Sequence, residues 1–322
     1  MSPTVLLFCA IILSASGLLS PAFALLLGLV LALTTEHPFR AEAHKLTKFL
    51  LQAAVVLLGF GMNLGAIARA GRMGFGYTAI SIVFALSLGL LLGKLMRVTP
   101  RASLLIAAGT AICGGSAIAA IGPVCEAGED EMAVALGTVF SLNAVALLLF
   151  PFIGHLVGLN QAQFGLWSAL AIHDTSSVVG ATAKYGPQAL EVGTTVKLVR
   201  SLWIVPLTLA VAFWTSRNGF SHPATATQPA KTRAKIAWPW FIALFLAAAA
   251  VRSFYPEANG IWAKLSGLGR NAMEVVLMLI GASLSPAMLK RVGWKPMLQG
   301  ILLWVVVATF SLVAIHQHWI GA

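Results

Sequence analysis

The chain has 322 residues, 59% hydrophobic and only 10% charged, with a mean hydropathy of +0.89. A soluble domain carries roughly 25% charged residues, so an ordinary water-borne globular protein is excluded and an all-α polytopic membrane protein is indicated. The formal charge of +11 invites a nucleic-acid reading, but the 21 Lys and Arg sit mostly in short loops between apolar spans. That is a topological pattern rather than a phosphate-binding face.

A membrane helix takes about 20 mostly apolar residues. In chain order the candidates fall near 4–19, 21–34, 47–67, 76–97, 102–122, 131–154, 163–183, 191–215, 237–253, 266–289 and 296–319, eleven in all. The first lacks a basic leader and is followed at once by the second, so it reads as a membrane helix rather than a cleaved signal peptide. One side collects thirteen basic residues, including Arg40, Lys45, Lys94, Arg97, Arg101, Arg217, Lys231 and Lys290. The other collects six, together with the acidic run Glu126, Glu129, Asp130 and Glu131. This bias places the N-terminus in the cytoplasm and the C-terminus outside. The stretch 216–237, rich in Ser, Thr, Pro and Ala, reads as a solvated cytoplasmic tether within one transporter domain.

Two internal matches bear on architecture. Val55-Val56-Leu57-Leu58-Gly59-Phe60-Gly61 resembles Val275-Val276-Leu277-Met278-Leu279-Ile280-Gly281, and the span count makes the two copies antiparallel. Inverted repeats of this kind build transporters that rock around a midplane site. A weaker match links Ala111-Ile112-Cys113-Gly114-Gly115-Ser116 with Ala171-Ile172-His173-Asp174-Thr175-Ser176. Its copies are parallel by span count unless one segment is re-entrant.

Both segments of the second match carry candidate chemistry. Cys113, Gly114, Gly115 and Ser116 interrupt the fifth span, and paired glycines each cost a helix roughly 1 kcal/mol relative to Ala. A break there aims a positive helix start at an anion; the alternative is a small-residue packing surface. His173 and Asp174 fall mid-span, where ionisable residues persist mainly against a cavity, a partner or a substrate. Thr175, Ser176 and Ser177 add hydroxyls, giving a row suited to an oxyanion or to proton relay, or else to a structural hydrogen-bond cluster. On the eighth span, Lys197 and Arg200 lie about one turn apart on a shared face. Arg200 would meet Asp174 or an anionic substrate, whereas Lys197 could instead snorkel to an interface. Asn143 and Glu274 are secondary candidates: Asn143 for bonding across helices, Glu274 for proton coupling or for pairing with Arg270.

No motif for hydrolase, nucleotide or dinucleotide chemistry stands in a suitable context, so the protein reads as a non-enzyme. Cys9, Cys113 and Cys125 are too scattered for a disulfide framework or a metal site. No cofactor and no metal are expected.

At the residues just quoted, the chain resembles the bacterial YeiH-type family, which is named for sulfate export. The resemblance runs through Leu57-Leu58-Gly59-Phe60, Ile112 to Ala117, Ala171 to Asp174 with Val178-Val179, Lys197-Leu198-Val199-Arg200 and Ala237 to Phe241. It implies an inner-membrane secondary transporter with crossed broken helices, and a sulfur-containing anion as cargo. The expected site is therefore Cys113 to Ser116, His173 to Ser177 and Arg200, with His173 and Asp174 coupling transport to protons. A cation–proton antiporter using Asp174, and a non-transporting receptor or assembly subunit, are the alternatives. The expected partners are a small anion, a coupling proton and the lipid bilayer, with a homo-oligomer left open.

Overall fold

The structure, a computed structural model, describes residues 3–19, 21–34, 40–218, 240–283, 293–317 and 319–320. Most of the expected tether at 216–237 lies outside these residues. The fold is all-α, with no strand among the described residues. A short pair, α1 (Pro3–Ala15) and α2 (Pro21–Thr34), leads into α3 (Arg40–Gly59) and the long α4 (Leu64–Leu95). Then come α5 (Pro100–Ala111), α6 (Gly115–Ile121), α7 (Glu129–Leu156), α8 (Gln161–Ala171), α9 (Thr175–Tyr185), α10 (Pro187–Leu202) and α11 (Ile204–Asn218). The chain closes with α12 (Trp240–Phe254), α13 (Asn259–Ser283) and α14 (Trp294–His316). Among the described residues, five segments are long and apolar enough to cross a membrane: Phe75–Leu95, Asp130–Leu156, Pro187–Thr215, Pro256–Ala282 and Trp294–His316. Large apolar side chains such as Ile80, Phe152, Phe213 and Phe310 face outward from them, as hydrocarbon solvent permits.

The first repeat is visible in the packing of α3 on α13. Gly61 approaches Ser266 while Gly269 approaches Ala54 and Leu57, so the two helices run antiparallel, as expected. The turn that would follow the second copy falls outside the described residues. On its other face α13 meets α2 through Gly28 and Gly281. A Cβ at either position would overlap the partner's backbone, which is how small residues let membrane helices approach closely.

The expected break at Cys113 to Ser116 is present, a second that was not expected interrupts the next span between Ala171 and Thr175, and at each the chain turns back on itself. α5 stops at Ala111, resumes at Gly115, and returns: Ile118 packs where a Gly109 Cβ would lie, and Arg101 at the start of α5 is 3.9 Å from Glu126 beyond the end of α6. We call α5–α6 hairpin 1. α8 stops at Ala171 and α9 starts at Thr175, and their far ends also meet. Phe164 stacks on Tyr185 at 3.7 Å, the Tyr185 hydroxyl donates to the Leu159 carbonyl at 2.6 Å, and the Gln188 amide donates to Gln161 Oε1 at 3.0 Å. This is hairpin 2. Each arm of α8–α9 has 11 residues, about 16 Å of helix, enough to reach the middle of a bilayer from one surface.

Local sequence sets these bounds. Pro100 and Pro187 occupy the first turns of α5 and α10, where a missing N–H costs nothing. Asn160 caps α8 by accepting from the Gln163 amide at 2.9 Å, while Gln163 Oε1 accepts from the Asn160 amide. Gly114 turns the chain at φ +66°, ψ −126°, a conformation open essentially to glycine.

Between the hairpins runs α7, 28 residues long, about 42 Å. It begins just after the base of hairpin 1 and ends just before the base of hairpin 2. The hairpins therefore enter from opposite ends. Their copies in the second repeat are inverted, not parallel, because neither segment crosses. Two hairpins in place of two crossings leave the side of every basic loop unchanged. They move the acidic run at 126–131, which joins the end that carries Arg101, and the loop at 157–160, which carries no Lys or Arg.

Candidate functional site

The tips of the two hairpins meet. A Cβ at Gly114 would lie 3.6 Å from Asp174 Cβ and from the His173 carbonyl carbon. Cys113, Gly114, His173, Asp174, Thr175, Ser176 and Ser177 are all buried there, His173 at 0% exposure and Asp174 at 8%. Ser116 is not among them, since it lies on the exposed face of α6, and Gly115 is half-buried against Phe140.

A helix that stops inside a membrane leaves its last carbonyls without partners, and water is not there to supply them. Here α10 supplies them. Arg200, fully buried, donates Nε to Ala111 O at 2.5 Å, Nη1 to Ala169 O at 3.0 Å and to Leu170 O, and Nη2 to Thr110 O at 3.3 Å and Ser81 Oγ at 3.5 Å. Lys197 donates Nζ to Ile172 O at 2.6 Å and Ala169 O at 3.4 Å. It is as buried as Arg200 and does not snorkel. These cations also neutralise the negative ends of α5 and α8. Arg200 consequently does not pair with Asp174.

Asp174 has work of its own. It is the N-cap of α9, its Oδ2 accepting from the Ser176 amide at 3.0 Å and from the Ser176 hydroxyl. Asn143 on α7 secures the same turn: Oδ1 accepts from the Asp174 amide at 3.2 Å, and Nδ2 donates to Ser177 Oγ at 2.6 Å. The across-helix role expected of Asn143 is thus the one it fills.

His173 stands apart from this satisfied network. Both ring nitrogens are buried without a hydrogen-bond partner. A buried polar group so placed costs free energy unless something occupies the partner position. Thr110 Oγ1, on hairpin 1, is also unpartnered. Glu274 lies on α13, with Oε2 buried and unpartnered and no ion pair to Arg270. No cluster of three or more His, Cys, Asp or Glu suited to a metal occurs among the described residues.

Trp304 escaped the sequence reading. Its Nε1 donates to Ala171 O at 3.2 Å, and its ring centroid is 6.4 Å from that of His173. The available signal was depth: a Trp near the middle of an apolar span, away from the interfaces where Trp usually sits, wants a buried acceptor.

A family profile described as Conserved hypothetical protein 698 matches residues 4–300. A UPF0324 membrane protein of Bdellovibrio bacteriovorus is 50% identical over 301 residues, covering 94% of this chain and 90% of its own length. A UPF0324 membrane protein of Geobacter sulfurreducens is 46% identical over 298 residues, covering 92% and 91%. One from Bacteroides thetaiotaomicron is 46% identical over 305 residues, covering 94% and 88%. No solved structure matches the chain. With the profile spanning nearly all of it and relatives similar over its length, the chain belongs to the Conserved hypothetical protein 698 family of UPF0324 membrane proteins, the YeiH-type family that its motifs resemble.

Proposed function

We propose that this protein is a secondary transporter of a small anion, with sulfate or a related sulfur oxyanion as cargo and protons as the coupling ion. One observation carries the reading: two inverted re-entrant hairpins enter from opposite ends and touch at their tips. A site held between such tips can be opened to one end or the other by moving one hairpin at a time, as alternating access requires. Charge supports an anion over a cation. Lys197 and Arg200 are set against the single carboxylate of Asp174, a formal surplus of one positive charge that an oxyanion would balance. His173, with both nitrogens free, is the group placed to bind that anion and to take up a proton with it. Lys197 keeps an ammonium proton beyond its two bonds and is the better charge partner, because the donors of Arg200 are already engaged. In this reading the protein is a carrier rather than an enzyme. It lies in the inner membrane with the N-terminus and the more basic loops in the cytoplasm.

The test is flux of labelled sulfate into proteoliposomes under an imposed proton gradient. The expected outcome is gradient-stimulated uptake in the wild type and none in His173→Gln, with both proteins folded. Uptake equal to that of protein-free vesicles would overturn the anion assignment. Proton movement driven by a sodium gradient would replace it with the antiporter reading.

A further inference from the structure

The two buried cations of α10 are unequally employed. A guanidinium has five N–H donors in a planar fork, and the five acceptors of Arg200 exhaust them. Of its four carbonyl partners, Thr110 and Ala111 belong to hairpin 1, Ala169 and Leu170 to hairpin 2. Lys197 bonds only hairpin 2, as do Asn143 and Trp304. An ammonium is a compact point charge with three donors and cannot reach the converging ends of two helices in this way.

We infer that Arg200 is a positioning residue for the midplane site: by gripping the C-terminal carbonyls of α5 and α8 together, it fixes the two tips in register. The inference rests on the proposed function only in treating the tips as the working site. Opening either hairpin must break its share of these bonds, so Arg200 also sets how firmly the closed arrangement is held.

The chain carries its own reporters. Cys113 is buried at the tip of hairpin 1, two residues beyond Ala111, and Cys125 is buried at the base of the same hairpin. Cys9 is exposed and is removed as Cys9→Ser. The full chain in native membranes is treated with a water-soluble maleimide, and labelling of the two buried thiols is followed separately. In Arg200→Gln and in Arg200→Lys, Cys113 is expected to label roughly tenfold faster while Cys125 stays slow, because the opening is local. In Lys197→Gln, Cys113 is expected to stay slow. Arg200→Lys separates the fork from its charge, and it carries the comparison alone if Arg200→Gln does not accumulate. Three results overturn the inference: wild-type labelling of Cys113 in Arg200→Lys, acceleration of Cys125 in step with Cys113, or equal acceleration in Lys197→Gln. No substrate enters this measurement. A protein that moves no sulfate yet shows the expected labelling would lose the transport reading and keep the brace.

Discussion

Hairpins 1 and 2 share a sequence pattern and a path, yet they are embedded differently. Every residue from Phe164 to Thr182 in hairpin 2 is buried. Trp167 stacks on Phe150 at 4.1 Å and donates to Ala308 O at 2.9 Å, while Lys197, Asn143 and Trp304 hold the tip. In hairpin 1 the return arm α6 has only seven residues, no side chain caps its start, and Ser116 and Ala119 are exposed. Its side-chain ties include those of Arg200 to Thr110 and Ala111, Gln299 to Ser103 Oγ at 2.9 Å, Ser103 Oγ to Gly89 O at 3.5 Å, and the Arg101–Glu126 pair. The outgoing arms are equally buried, since every residue from Ala102 to Gly114 is buried too, but the return arm is part of the packed body in hairpin 2 and lies at its edge in hairpin 1. Symmetry of sequence does not impose symmetry of mobility, because mobility follows from buried contacts and satisfied backbone. Hairpin 1 is the arm expected to move.

The strongest way to break this comparison is to remove the anchor of hairpin 2. Trp167→Ala leaves a cavity beside Phe150 and removes the indole bond to the Ala308 carbonyl, and is expected to cost about 3–5 kcal/mol, read as a large fall in melting temperature in detergent. A small fall would mean that hairpin 2 is not the rigid half. A more local change is Asn143→Ala, which unpairs the Asp174 amide and the Ser177 hydroxyl. Interhelical bonds in membranes are weak, so about 1–2 kcal/mol is expected. Hydrogen exchange locates the loss: amides of α9 should speed up and those of α6 should not. Smallest in energy and sharpest in contrast is a cysteine at each matched serine. Ser116→Cys, on the exposed face of α6, should leave stability within about 0.5 kcal/mol and react with a soluble maleimide. Ser176→Cys, fully buried, should not react. Equal reactivity would erase the difference between the hairpins.

Much of this was legible in the residues themselves. The apolar segments, the break at Cys113 to Ser116, the antiparallel α3–α13 pair and the burial of His173, Asp174 and Arg200 follow from hydropathy, glycine placement, the internal repeat and the cost of charge at depth, whereas the break at Ile172 to Asp174 carries no glycine to announce it. What stayed hidden was the direction of travel after each break. Twelve residues of α5 followed by seven of α6 have the hydropathy of one crossing helix. Only contacts between distant positions, such as Arg101 with Glu126 or Phe164 with Tyr185, tell return from continuation. The partners of Arg200 were hidden for a related reason. They are carbonyls, which every residue has, and which become unpaired only once the helix is known to end. Ser116 was misplaced because its neighbours in sequence face the tip and helical rotation turns it outward.

Re-entry also has an arithmetic consequence. One hairpin followed by one crossing segment, α5–α6–α7 or α8–α9 with α10–α11, makes a single net passage through the membrane. A block with an odd number of passages reverses its orientation each time it is repeated in tandem. The second copy therefore arrives upside down with no rearrangement beyond duplication, and its loop charges need only agree with the side on which it already lands.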